Sequence, residues 1–184
     1  MEQLKKYLKD TYHLSNYQIA QIFFLFKTIA SEFTKIVIMG ILFHDKIMIY
    51  LFALLVMVFL RSAMGGLHFY TYAGCLITSI LYLWLAVYIL PLIATPKYLQ
   101  IAALLFCILI CNYIGPITSK YRPDCCKERF AQCKSFCTIF IFFYSLILYI
   151  IPENIYLYVG FWVIILHSLQ LIVAKIRKKG ERIK

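Results

Sequence analysis

Acidic residues are scarce in this chain of 184: eight Asp and Glu stand against 19 Lys and Arg, a formal net charge of +11. Such an imbalance raises nucleic acid as a partner, but no soluble module here carries a basic face. The cations gather at the ends and in one loop, flanking apolar segments, which fits membrane orientation and argues against nucleic acid. A cleavable signal pattern is also missing, because the first sixteen residues, MEQLKKYLKDTYHLSN, hold no uninterrupted apolar run. HExxH, P-loop and dinucleotide fingerprints are absent, so no cofactor is implied. Seven cysteines are an odd number, which leaves at least one outside any intramolecular disulfide. Cys125, Cys126, Cys133 and Cys137 lack the two paired knuckles of a structural zinc site and lie among lysines and arginines, so no metal site is expected. Redox-sensitive or lipid-bearing thiols near the membrane surface are the other readings of that cluster.

What the chain has in excess is apolar surface. Hydrophobic residues make up 63%, with a mean hydropathy of +0.81. Soluble domains carry about 45–50%, so the solvent for this excess is lipid. The expected fold is an all-α polytopic membrane protein, a single transmembrane domain over 1–184 with about six spans. These cover roughly 16–43, 47–60, 75–93, 98–117, 136–151 and 155–173, each judged against the ~20 apolar residues a bilayer crossing needs. Residues 1–15 form a basic segment with Leu4, Leu8 and Tyr12 at helical spacing. It suits either an interfacial helix or a solvated tail. Ser15 and Gln18 make a capping box at the start of the first long helix. Cys107 and Cys111, four apart on the fourth span, are read as packing residues, and His13, His44 and His167 as residues near span ends.

Basic residues set the orientation. Lys5, Lys6 and Lys9 precede the first span, a basic loop at 118–135 separates the fourth from the fifth, and a basic tail follows at 174–184. Six spans with both termini cytoplasmic satisfy the positive-inside rule. The first span is amphipathic: Gln21, Thr28, Glu32 and Lys35 fall largely on one side, and Glu32 can pair with Lys35 at i,i+3. Intramembrane polar groups usually face a cavity or a partner helix, so these four are candidate linings of a water-filled chamber. An oblique interfacial helix is the alternative.

One polar, glycine-broken stretch interrupts the apolar runs on the cytoplasmic side: RSAMGGLHFYTYAGC, residues 61–75. A thiol protease needs a thiolate and an imidazole that activates it and protonates the leaving amine. His68 and Cys75 are the candidate pair. A free cysteine ionises near pH 8.5, so a neighbouring histidine or arginine must favour the anion. Arg61 could do so, or could grip a substrate carboxylate. Gly65 and Gly66 allow close backbone approach and could offer N–H donors to a developing oxyanion. On a straight helix, seven residues separate two side chains by about 10.5 Å. For His68 to reach Cys75 the chain between them must therefore bend, with Gly74 the expected place, or the pair must meet across a homodimer.

The string Arg61-x-x-x-Gly65-Gly66-x-His68 followed by Cys75 resembles the signature of the accessory gene regulator B (AgrB) family. Those are bacterial membrane cysteine endopeptidases that process quorum-sensing peptide precursors. The resemblance extends to the basic start, the small multi-span body and the Tyr113-Ile114-Gly115-Pro116 turn before a basic loop. It implies catalysis by His68 and Cys75, with Arg61, Gly65 and Gly66 in support. It also implies an AgrD-like propeptide as substrate, residence in the bacterial cytoplasmic membrane, and thiolactone or lactone cyclisation of the product. The four cysteines from Cys125 to Cys137 are not part of that pattern. A reading from another class, a non-enzymatic small transporter or scaffold, would use the first span to line its path.

Overall fold

A computed structural model describes residues 15–67, 71–117, 127–151 and 153–182. Those residues form helices and no strand beyond one isolated bridge. In chain order the helices are α1 (Asn16–Leu42), α2 (Ile47–Met64), α3 (Tyr72–Trp84), α4 (Lys97–Ile114), α5 (Lys127–Ile150) and α6 (Ile155–Arg182). A 3₁₀ turn, His44–Lys46, joins α1 to α2. A π turn (Leu85–Ile89) and a 3₁₀ turn (Leu90–Leu92) carry α3 on to Pro91. Among the described residues, five segments are long and apolar enough to cross a membrane: His44–Met64, Tyr72–Leu92, Lys97–Ile114, Lys127–Ile150 and Ile155–Arg177. The helix α1 is not among them. Its 27 residues would span about 40 Å at 1.5 Å each, so its charges, and not its length, set it apart.

The chain separates into two compact units, Met1–His44 and Asp45–Lys184. In the first, α1 starts from the expected capping box: Ser15 Oγ accepts from the Gln18 N–H at 3.2 Å, and Gln18 Oε1 accepts from the Ser15 N–H at 2.9 Å. In the second, α2 to α5 pack around α6. Its apolar window is 56% buried, against 22–33% for the other four, so it is the central helix. Tyr50, Leu60 and Met64 of α2, Leu83 of α3, Leu104 of α4, Ile141 of α5, and Phe161, Ile164 and Leu171 of α6 fill the core. Large apolar side chains such as Leu55, Leu109, Phe143 and Ile176 point outward. That arrangement suits a hydrocarbon solvent and would be costly in water.

Polar groups tie the helices at fixed points. Tyr82 on α3 donates to the Val163 carbonyl of α6 at 2.6 Å, and Tyr144 on α5 donates to the Leu157 carbonyl at 2.7 Å. Cys107, Cys111 and Cys137 are buried. Cys111 on α4 and Cys137 on α5 are within electrostatic reach of each other, and the Cys111 sulfur lies 3.8 Å from Ser168 Oγ on α6. The packing role read for Cys107 and Cys111 fits this seam. Two sequence expectations change. Helix α5 begins at Lys127, so the later part of the basic loop is already helical and Cys133 and Cys137 stand on it. His167 lies in the bundle core and not near a span end: it is fully buried, and neither ring nitrogen has a partner among the described residues.

Candidate active site

The stretch 61–75 is built as a helix end, a turn and a helix start. Helix α2 stops because Gly65 takes φ = +74°, and its N–H closes the last turn on the Arg61 carbonyl at 2.9 Å. A Cβ at that φ is strained, and here it would fall 2.3 Å from the Ile117 carbonyl oxygen. The close approach comes from a backbone stitch. Ile117 N–H donates to the Met64 carbonyl at 2.9 Å, and Gly65 and Ile117 form an isolated parallel bridge. Gly115 ends α4 in the same left-handed manner, with φ = +72°, so the helix stops at Ile114 and short of the expected 117. The two turns at this end of the bundle are therefore sewn together.

Arg61 folds over the turn it ends. Its Nη2 donates to the Leu67 carbonyl at 3.2 Å, one residue before His68. Gly66 is buried beneath it. A Cβ there would sit 3.3 Å from Arg61 Nε and 3.5 Å from Gln170 Oε1 on α6. Arg61, Gly65, Gly66 and Gln170 thus form one contact group, with His167 within electrostatic reach of the guanidinium. His68 itself lies outside the described residues.

Helix α3 restarts at Tyr72, with Thr71 as its N-cap. Thr71 Oγ1 accepts from the Gly74 N–H at 3.2 Å, and the Thr71 carbonyl accepts from the Cys75 N–H at 3.2 Å. Cys75 is half-buried and sits at the N-terminal end of α3. Unpaired amides and the helix macrodipole favour an anion at such an end. The expected bend at Gly74 is not there, since Gly74 lies inside the first turn. Helix α2 ends at Gly65, and α3 starts only behind the extended Thr71.

The four candidate chamber residues belong to the other unit. Lys35 Nζ reaches Glu32 Oε1 at 2.6 Å, the i,i+3 pair expected from spacing. Gln21 and Glu32 are exposed, and the Thr28 side chain lies outside the described set.

A family model described as accessory gene regulator B matches residues 1–171. The chain belongs to the accessory gene regulator B family. No curated protein and no solved structure matched it. The match runs through every element that builds the 61–75 turn and includes α6 as far as Leu171, and so takes in Gln170. Gln170 and His167 are the residues that sequence reasoning missed here. Their spacing signals only a polar stripe on an apolar helix, and what that stripe faces is decided by packing 100 residues away in the chain.

Proposed function

We propose that this member of the accessory gene regulator B family is a membrane cysteine endopeptidase that cleaves and cyclises a quorum-sensing propeptide. The observation that supports it most is the construction of the turn. Arg61 clamps the Leu67 carbonyl immediately before His68, while Thr71 opens a new helix that carries Cys75 at its N-terminal end. Two short segments, each anchored separately, thus bracket His68 in the chain, and the second carries the Cys75 thiol.

In this reading Cys75 gives its proton to His68 and attacks the carbonyl that joins the central peptide to its C-terminal tail. The tetrahedral intermediate collapses with loss of the tail amine, which takes the proton from His68, and the central peptide is left as a thioester on Cys75. The substrate's own cysteine then attacks that thioester. Its proton returns through His68 to Cys75, and a thiolactone ring leaves; a substrate serine would give a lactone. Exchange of thioesters is close to neutral in energy, whereas hydrolysis discards the activation. A site that excludes water and holds the second thiol close therefore favours the ring. Lys127, Arg129 and Lys134 at the start of α5 suit an acidic tail, and they follow the segment stitched to the catalytic turn.

The test is co-expression with the propeptide and mass analysis of the products. Cys75→Ala and His68→Ala should each abolish cleavage while the protein still inserts and accumulates. Replacing the propeptide's ring-forming residue by alanine should leave the central peptide on Cys75 as a hydroxylamine-labile thioester. Normal cleavage by Cys75→Ala would overturn the proposal.

A further inference from the structure

Gln170 is a buried amide that the mechanism above leaves unused. It is 9% exposed, and its carboxamide makes no hydrogen bond among the described residues. The side chain is aimed at the catalytic turn, because its Oε1 would lie 3.5 Å from a Cβ on Gly66. With the oxygen turned to Gly66, the amino end and its two N–H donors remain for another partner.

A separate observation sets its depth relative to Cys75. The hydroxyl of Tyr82 on α3 bonds the carbonyl of Val163 on α6 at 2.6 Å, which fixes those two residues at one level. The helices run in opposite directions, since Tyr158, earlier on α6, bonds the carbonyl of Ile93, later in the chain that continues α3. Cys75 precedes Tyr82 by two helical turns and Gln170 follows Val163 by two. Two turns are about 10.5 Å and return within roughly 20° of the same face. Both steps lead toward the same end of the bundle. Cys75 and Gln170 therefore stand at about the same depth of the bundle. Meanwhile the Gly65 N–H is committed to the Arg61 carbonyl, so the turn has lost one of the two backbone donors expected for an oxyanion.

We infer that Gln170 is a catalytic residue whose Nε2–H donates to the oxyanion formed on the scissile carbonyl. The inference rests on Cys75 being the nucleophile. As a sulfur electron pair forms the S–C bond, the carbonyl π pair moves onto oxygen, and Gln170 meets that charge. As the C–N bond breaks, the pair returns to the carbonyl and the donor is released. Preorganised amide donors of this kind act where water is excluded, and loss of one costs about 10²–10³ in kcat.

The experiment uses the full-length protein purified in detergent, with the propeptide whose ring-forming residue is alanine as acyl donor. Gln170→Met keeps the volume without donors, and Gln170→Leu removes them without adding a charge. Both should slow thioester formation on Cys75 by about 10²–10³-fold, with KM changed by no more than about 2-fold. The pH profile of Cys75 alkylation by iodoacetamide and the thermal midpoint should match wild type, which a merely structural role would not allow. Acylation within about 3-fold of wild type in both variants would overturn the assignment. So would a fall in acylation matched by an equal fall in alkylation. Absence of any thioester on wild-type Cys75 would instead remove the endopeptidase reading, and this inference with it.

Discussion

At Arg61 the guanidinium lies over Gly66 and donates to the Leu67 carbonyl, which is a geometric task as much as an electrostatic one. Lysine carries the same charge on a rounder, narrower head and cannot hold the same fork. Arg61→Lys should therefore lower the processing rate by about 10–100-fold, the worth of one charge-assisted hydrogen bond of ~1.5–3 kcal/mol, at unchanged protein level. Wild-type processing by that variant would show the residue to be a topology marker. Gly65→Ala asks for a Cβ 2.3 Å from a backbone oxygen at φ = +74°. It should lower stability by about 1–3 kcal/mol, read as a fall in the thermal midpoint, and should abolish cleavage. Arg61, Gly65 and Gly66 could be named from the sequence because glycine pairs and lone arginines stand out against apolar runs. Their actual work could not. The Gly65 N–H closes a helix and does not wait for an oxyanion, and only the fold brings Ile117 and Gln170 to that turn.

Among the described helices, α3 carries the proposed nucleophile and is the shortest at 13 residues. Its start depends on one hydroxyl, and the cap is testable. Thr71→Val keeps the branched shape and loses the acceptor for Gly74 N–H, at a cost of about 0.5–2 kcal/mol. Amide exchange at Gly74 and Cys75 should then quicken while exchange in α6 stays as it was, and cleavage should weaken with it. Equal protection at Gly74 in the variant would show the cap to be dispensable. The spans were legible wherever apolar runs have clear ends, as at Ile47, Lys97 and Ile155. The start of α5 and the end of α6 moved furthest, and for one reason. Helix α5 starts nine residues before its apolar run because Lys127–Ser135 is polar yet helix-compatible. Helix α6 continues to Arg182 for the same reason.

For the whole molecule the open contest is between charge bias and composition at α1. Five segments among the described residues qualify as spans, whereas the positive-inside rule asks for six so that Lys5, Lys6 and Lys9 share a side with the tail. Cysteines placed at Lys97 and Glu153, in a background without native thiols, should react with an impermeant maleimide in intact cells. Residues 127–134 and a reporter ahead of Ser15 should react only after permeabilisation. Outside labelling of that reporter alone would make α1 a non-crossing helix and leave five spans. The central position of α6 bears on biosynthesis as well. It follows the other helices in the chain, so it is made after them, yet Tyr82, Tyr144 and Cys111 all find partners on it. Until it leaves the ribosome, the nascent helices enter the bilayer with those groups facing lipid or one another. Assembly must then be largely post-insertional, and a chain stalled before residue 155 should be a ready substrate for membrane quality-control proteases.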